Sequence, residues 1–202
     1  MLIFEQIKSD RMANFSYIIG DEASKEAAIV DPSFNADKLI SITEGKGLKV
    51  RYVINTHSHG DHTAGNEVVA SRFGAKVVAH KKAAVHKDVS VDDGDSLDVG
   101  KVQIRVIYTP GHSSDGICLL VDKKLLTGDT LFVGECGHTR HGSSEDMYHS
   151  LFDKLMKLDD DVEVYPGHDY GPRPYSTIGL EKRTNYVLKE RTLEEFIEFM
   201  RE

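Results

Sequence analysis

Apolar and polar positions along the chain form short runs that predict strands more often than helices. Residues 2–7, 14–19 and 27–30 combine β-branched and aromatic side chains, and a polar turn at 21–24 separates the second run from the third. We interpret this opening as a β-meander. Further strands are predicted at residues 50–55, 76–79, 102–108, 116–122, 125–127 and 162–165, with a strand pair over 91–100.

Helical spacing occurs in blocks between these strands. A cap at Asn35 or Ser33 predicts a helix through about Glu44, and Gly45 and Gly47 end it. Further helices are predicted over residues 64–73, 145–158, 178–189 and 192–200. The strands and helices fall into two groups along the chain, which indicates two sheets packed face to face with helices outside.

Composition and length fit a single globular domain over residues 1–202. Hydrophobic residues make up 40% and charged residues 29%, and no linker or low-complexity tract divides the chain. A net charge of −8 argues against nucleic acid as the main partner. No apolar run approaches the roughly 18 residues of a membrane span, and the N-terminus is acidic too early for a secretory signal. Since a disulfide between Cys118 and Cys136 is not expected, we expect a cytoplasmic protein; the sequence leaves the oligomeric state open.

A cluster of metal-binding residue types follows the predicted strand at 50–55. Three of the ten histidines, His57, His59 and His62, lie here together with Asp61. The cluster therefore lies where a strand ends and a loop begins, a usual place for a functional site. Side chains two positions apart on an extended segment point the same way, so His57 and His59 can bind one ion. Asp61 and His62 lie further along and can face a second ion.

Three further strand ends present residues of the same kind. His112 and His168 each follow a Pro-Gly pair, which forms a tight turn because proline fixes φ and glycine permits positive φ. Asp129 follows a glycine at the end of another strand. His112 would complete the first site and His168 the second, and Asp129 can bridge them. Nitrogen-rich sites with a carboxylate suit zinc, iron or manganese. We expect two divalent ions, with zinc preferred over iron or manganese.

The order of these residues along the chain resembles that of the metallo-β-lactamase superfamily. The motif Thr56-His57-Ser58-His59-Gly60-Asp61-His62, followed by His112, Asp129 and His168, carries the resemblance. Residues 128–132, 136–137 and 166–170 are similar to the branch that contains glyoxalase II and persulfide dioxygenases. The resemblance implies a four-layer αββα sandwich, with Asp61 and Asp129 as catalytic carboxylates. It assigns to the first metal His57, His59 and His112, to the second metal Asp61, His62 and His168, and to the bridge Asp129.

This branch implies two chemistries. In the first, two metal ions lower the pKa of a water, and the resulting hydroxide attacks a thioester, as in hydroxyacylglutathione hydrolase (glyoxalase II). In the second, one Fe(II) held by His57, His112 and Asp129 binds O₂ and a glutathione-like persulfide. We prefer the thioester hydrolase and keep the persulfide dioxygenase as the alternative. A non-catalytic metal-binding or redox module is a weaker third interpretation, because the full ligand set argues against a dead site.

The substrate is expected to be a small molecule derived from a thiol. Arg140 lies just after a Cys-Gly pair, and its guanidinium suits a substrate carboxylate. Tyr170 is a candidate for orienting the substrate, and Tyr175 is a weaker one. The persulfide dioxygenase type usually has arginine where this chain has His138, and the extended helical region of longer glyoxalase II proteins is mostly missing. The identity of the thiol, glutathione or another, stays open.

Overall fold

Two six-stranded sheets form the centre of the molecule, for which a computed structural model describes residues 1–201. In the first sheet the strands lie in chain order. They are β1 (Leu2–Lys8), β2 (Phe15–Asp21), β3 (Glu26–Val30), β4 (Lys49–Ile54), β5 (Lys76–His80) and β6 (Val89–Val91). The first three strands pair antiparallel, so the predicted meander is confirmed, and β3 to β6 pair in parallel.

The second sheet is mixed, with the order β12-β11-β10-β9-β8-β7. Its strands are β7 (Ser96–Val99), β8 (Val102–Tyr108), β9 (Ile117–Val121), β10 (Lys124–Gly128), β11 (Glu163–Pro166) and β12 (Ser176–Thr177). Only β10 and β11 pair in parallel. The sequence did not predict β12, because two residues are too few to show an alternating pattern.

Helices connect and cover the sheets. They are α1 (Ala36–Gly45), α2 (Gly60–Thr63), α3 (Asn66–Phe73), α4 (Ser144–Tyr148), α5 (Ile178–Thr184) and α6 (Leu193–Phe199). The predicted helix at 145–158 is divided, because a π-helical segment (His149–Lys154) and a 3₁₀ turn (Leu155–Lys157) follow α4. The predicted helix at 178–189 ends at Asn185, whose side chain accepts a hydrogen bond from the Val187 N–H and caps a second 3₁₀ turn (Tyr186–Leu188).

Three apolar clusters define four layers. The central cluster lies between the two sheets and includes Ile19, Ile54, Val106 and Leu119. A second cluster joins the first sheet to α1 and α3, and a third joins the second sheet to α4, α5 and α6. The αββα sandwich is therefore confirmed. The assignment of residues 1–202 to one domain stays a prediction.

Both cysteines lie in the cluster on the helix-covered face of the second sheet. Each is free and buried. Burial raises the pKa of Cys118 to about 11 and that of Cys136 to about 12, so neither thiol is nucleophilic near neutral pH. None of the helices described over residues 1–201 has the length and apolar character needed to traverse a bilayer.

Candidate metal centre

The ends of four strands meet at one edge of the sandwich. In the second sheet β8, β10 and β11 run in the same direction, because β9 pairs antiparallel with both β8 and β10, while β10 and β11 are parallel. Their carboxyl ends present His112, Asp129 and His168. In the first sheet β4 delivers the cluster that contains His62. The Nε2 atoms of His62 and His168 therefore lie 3.2 Å from each other, although 106 positions separate the two residues in the sequence.

Three histidines converge as the first group. The Nε2 atoms of His57 and His112 each lie 3.0 Å from Nδ1 of His59. His57 and His112 are buried, whereas His59 is half-buried. These three nitrogen atoms can hold one metal ion, and they are the set that the sequence predicted for the first site.

Asp61, His62 and His168 converge as the second group. Asp61 Oδ2 lies 3.3 Å from the Nε2 atoms of both His62 and His168. Asn14 donates a hydrogen bond of 2.9 Å from its side-chain amide to the same carboxylate oxygen, which orients Asp61. This group also matches the predicted set and can hold an ion.

Asp129 lies between the two groups. Its Oδ1 is 3.3 Å from His62 Nε2, and its Oδ2 is 3.4 Å from the Nε2 atoms of His112 and His168. Oδ1 is buried yet has no hydrogen-bond partner among residues 1–201. A buried carboxylate oxygen left in this way needs a partner, and a metal ion supplies one.

The spacing of the donor atoms fits metal ligation. Ligands at about 2.0–2.1 Å from a tetrahedral ion lie roughly 3.3 Å from one another. The donor pairs of the two groups lie at comparable distances, such as 3.0 Å between His57 and His59 and 3.2 Å between His62 and His168. A His/Asp metal-binding site is therefore present at this edge of the sandwich.

The outer ring nitrogens of the histidines are held by the protein. His112 Nδ1 donates to the backbone carbonyl of His138 and His168 Nδ1 to that of Met12, both at 2.9 Å. Since a carbonyl only accepts, these bonds place the proton of the neutral ring on Nδ1 and leave the Nε2 lone pair for a metal. His57 Nδ1 lies 3.2 Å from the Thr56 hydroxyl.

Asp31 organises the inner side of the centre. Its carboxylate accepts hydrogen bonds from the Thr56 backbone N–H (2.7 Å), the Thr56 hydroxyl (2.6 Å) and His62 Nδ1 (2.9 Å). It follows β3 with a positive φ of 48°, a conformation that aspartate tolerates better than most residues. Our sequence reasoning missed this role. The available signal was an aspartate before proline at the end of a buried strand.

Burial and neighbouring charges set the protonation of the centre in opposite directions. Burial lowers the pKa of His57 and of His112 below the usual range. Burial also lowers the pKa of His168, but hydrogen bonds with Asp129 and Asp61 outweigh it and raise that pKa to about 9. Burial of Asp129 acts to raise its pKa, but the charge of nearby histidines holds it well below the usual range. The Asp129 carboxylate is thus ionised at neutral pH.

Two glycines permit the close approach of backbone at the centre. Gly128 has a φ of +49°, and a Cβ there would lie 2.7 Å from the Thr56 hydroxyl oxygen. A Cβ at Gly137 would lie 1.9 Å from the backbone oxygen of Asp129. Any side chain at these positions would displace Asp129 or its neighbours.

The three predicted substrate contacts lie in different surroundings. Tyr170 stacks on His168 at 4.6 Å with an interplanar angle of 7° and is 59% exposed, so it borders the second group. Arg140 lines a cavity together with His138, whose ring lies 4.8 Å from that of His112. Tyr175 stacks instead on Tyr165, and no described contact joins it to the metal-binding residues. All three assignments stay predictions.

Comparison with known proteins defines the class. A profile of the metallo-beta-lactamase superfamily matches residues 10–168, and the chain belongs to this superfamily. The relatives include both hydrolases and a dioxygenase, so the family supports a metal-dependent enzyme.

The relatives include a persulfide dioxygenase and a hydroxyacylglutathione hydrolase. The mitochondrial persulfide dioxygenase ETHE1 of Homo sapiens is 30% identical, and the match covers 98% of this chain and 80% of the relative. The crystal structure of ETHE1 from Myxococcus xanthus superposes with a TM-score of 0.94 at 35% identity and covers 98% of this chain and 90% of that one. A hydroxyacylglutathione hydrolase of Polaromonas is 39% identical, but the match covers 78% of this chain and 62% of the relative.

Proposed function

We propose that the protein is a metal-dependent hydrolase that cleaves a thioester of a small thiol. The observation that carries this proposal is the convergence of seven donor side chains into two groups with Asp129 between them. A reaction at a single metal ion needs only three protein donors. This centre has enough donors to bind two metal ions. The similarity to a hydroxyacylglutathione hydrolase supports the same chemistry.

The metal-binding residues can be assigned to two ions that together activate water and the substrate carbonyl group. When bound, two divalent ions lower the pKa of water and polarise a carbonyl group. We assign His57, His59 and His112 to one ion, Asp61, His62 and His168 to the other, and Asp129 to both. In the reaction, water adds to the acyl carbon and the carbon–sulfur bond breaks. The products are a carboxylate, a thiol and one proton.

The surrounding residues hold this geometry and receive the substrate. Asp31 and the carbonyls of His138 and Met12 fix the imidazole rings by hydrogen bonds to their outer nitrogens. We propose that the ring of Tyr170 borders the acyl group, because it stacks on His168 at the solvent side of the second group. Arg140 and Tyr175 are retained as substrate contacts at a greater distance from the metal centre.

Metal content and thioester turnover test the proposal together. The purified protein should hold about two ions per chain and should release thiol from an acetyl or lactoyl thioester. Asp129→Ala should abolish turnover, while Asp153→Ala, a control on the exposed side of the π-helical segment, should leave it intact. Full turnover by the Asp129 variant would remove the bridging role.

One observation favours a second candidate, an iron-dependent persulfide dioxygenase. The ETHE1 relatives match nearly the whole chain, including the tail after residue 168, whereas the match to the hydroxyacylglutathione hydrolase covers 78% of it. A facial set of His57, His112 and Asp129 is available for one iron, with Oδ2 of Asp129 at 3.4 Å from His112 and 3.9 Å from His57.

The two candidates give opposite results in a paired assay. Protein loaded with iron under anaerobic conditions is mixed with a thiol persulfide, and oxygen uptake is recorded. The same preparation is tested on a thioester. One tightly bound iron, oxygen uptake and no thioester cleavage would establish the dioxygenase and exclude the hydrolase.

A further inference from the structure

The loop between β1 and β2, residues 9–14, contacts two of the three side chains in the second group of metal-binding residues. The backbone carbonyl of Met12 accepts the 2.9 Å hydrogen bond from His168 Nδ1, and the side-chain amide of Asn14 donates the 2.9 Å bond to Asp61 Oδ2. Asn14 is fully buried, so its amide is shielded from bulk solvent. One short segment therefore orients a histidine and a carboxylate of the same group.

Backbone hydrogen bonds hold the loop against the chain that follows β11. The Asp169 N–H donates to the Ala13 carbonyl, and the Phe15 N–H donates to the Gly167 carbonyl, both at 2.8 Å. These two bonds lie on either side of His168 along the chain. The position of the His168 backbone is therefore coupled to that of the loop.

Two adjacent residues of the loop adopt a backbone conformation that most side chains disfavour. Met12 has a φ of +54° and Ala13 a φ of +53°, in the left-handed region that glycine, asparagine and aspartate enter most readily. The Met12 side chain contributes little packing, because 58% of the residue is exposed. The conformation is instead held by the hydrogen bonds that the two carbonyls accept from His168 and Asp169.

The first group of metal-binding residues is held by other parts of the chain. His112 Nδ1, for example, donates to the backbone carbonyl of His138. Within residues 1–201, no hydrogen bond joins the loop to any of the three histidines of the first group. The loop thus acts on one group of donors and not on the other.

We propose that the loop over residues 9–14 sets the affinity of the centre for its second ion and leaves the affinity for the first ion unchanged. Asn14 is the positioning residue, because its amide fixes Asp61 Oδ2 at 3.3 Å from the two imidazole Nε2 atoms of the second group. Donor atoms at this spacing can bind one ion. Hydrogen bonds that orient metal ligands in this way contribute about 10–100-fold to metal affinity.

The number of bound ions separates the hydrolase from the dioxygenase. Without the contacts of the loop, the first group and Asp129 still offer donors for one ion, whereas the hydrolase needs two. The loop therefore decides which type of centre the protein forms. The inference rests on the proposed function, because the second ion belongs to the hydrolase and not to the single-iron enzyme.

Stepwise metal binding to the metal-free protein tests the role of Asn14. Zinc is titrated in competition with a chelator, and the imidazole NMR signals of His112 and His168 report on the first and the second group. Asn14→Ala should weaken binding of the second zinc ion roughly 10–100-fold and that of the first less than about twofold. Equal weakening of both ions would show a general structural defect, and unchanged binding of both would show that Asn14 does not position Asp61. Either result overturns the proposal.

Three substitutions at residues with positive φ test the contribution of the backbone. Ala13→Val places a β-branched side chain at a φ of +53°, where it is disfavoured, so the second zinc ion should bind at least about tenfold more weakly. Ala13→Gly tolerates this φ and should bind both ions like the wild type. The matched control is Lys25→Val, because Lys25 has a φ of +61° in the turn at the opposite end of β2, and both affinities should stay unchanged. If Ala13→Val retains the second ion, or if Lys25→Val loses it, the conformation of the loop does not set this affinity and the proposal fails.

The same titrations, combined with a thioester assay, separate this inference from the hydrolase proposal. If the wild type binds two ions, Asn14→Ala and Ala13→Val lose the second ion and no thioester is cleaved, the hydrolase proposal falls and the role of the loop stands. If the wild type binds two ions and cleaves a thioester while both variants retain two ions, the hydrolase stands and the role of the loop falls. A wild-type protein that binds only a single ion overturns both.

Discussion

At the scale of single residues, Asp31 connects the backbone to the metal centre. It binds Thr56 twice and His62 once, so it fixes both the start of the histidine motif and the tautomer of one proposed ligand. Asp31→Asn places an amide where His62 Nδ1 now donates. We expect metal affinity at the second group to fall roughly 10–100-fold, measured by competition with a chelator.

The control for this prediction is Asp21→Asn at the opposite end of the first sheet. Asp21 also accepts backbone hydrogen bonds, from Ala23, Ser24 and Lys101, but it lies far from the histidine cluster. Its replacement should leave metal affinity unchanged. If both variants retain wild-type affinity, Asp31 does not orient His62.

The metal-binding role of a residue was predictable from the sequence where histidines recur at the ends of predicted strands. His57, His112 and His168 belong to motifs with their own local signal, a histidine cluster or a Pro-Gly turn. Asp31 has no such signal, since it is one of 33 acidic residues and lies 25 positions before its partner Thr56. Its role depends on the parallel pairing of β3 and β4, which only the fold reveals.

At the scale of elements, α4 and the loop that carries His112 are packed backbone to backbone. A Cβ at Gly111 would lie 2.6 Å from the Met147 Cα, and Gly111 has a φ of +147°. Gly111→Ala should therefore destabilise the fold by roughly 1–3 kcal/mol and displace His112. Urea unfolding of the metal-free protein and metal content of the native protein measure the two effects.

Gly45→Ala is the matched control for that substitution. Gly45 ends α1, and a Cβ there meets nothing within 4 Å, so this variant should be stabilised by up to about 1 kcal/mol. Equal stability of the two variants would show that the contact between α4 and the loop is not tight.

The packing of residues 144–157 against the loop before His112 explains why the helix predicted over 145–158 is not continuous. Apolar spacing over 145–158 predicts one continuous helix, and Met147, Leu151 and Leu155 are indeed buried on one side. The widened π-helical segment places Ser150 and Lys154 so that they donate to the carbonyls of Pro110 and Tyr108, at 2.6 Å each. Periodicity reports the buried face but not these tertiary hydrogen bonds.

At the scale of the whole molecule, the metal centre joins the two sheets. His57 to His62 follow the first sheet, and His112, Asp129 and His168 follow strands of the second. The layer order was predictable from alternating groups of strands and helices, whereas strand order and register depend on pairing across the chain. Metal binding links these layers and so adds to the stability of the native state.

This linkage predicts a pH dependence between about pH 6.5 and 9. The pKa of His168 in the metal-free protein is raised to about 9 from the 6.5 of an exposed histidine. Its proton therefore stabilises the metal-free fold below pH 6.5, and this contribution is lost as pH rises towards 9. A metal ion needs the neutral imidazole, so binding at pH 7.5 must release a proton from His168, and affinity should rise up to tenfold per pH unit in this window.

Calorimetric titration of zinc into the metal-free protein in two buffers of different ionisation enthalpy measures that proton release. At pH 7.5 the heats should differ between buffers, and the difference should shrink as the pH rises through 9, where His168 loses its proton. The gap in melting temperature between metal-loaded and metal-free protein should widen over the same range. Asp61 and Asp129 lie 3.3 and 3.4 Å from His168 Nε2, and these contacts imply a raised pKa for His168. Heats that are independent of the buffer at pH 7.5 would show that His168 is neutral before the metal binds. The two carboxylates would then not raise its pKa.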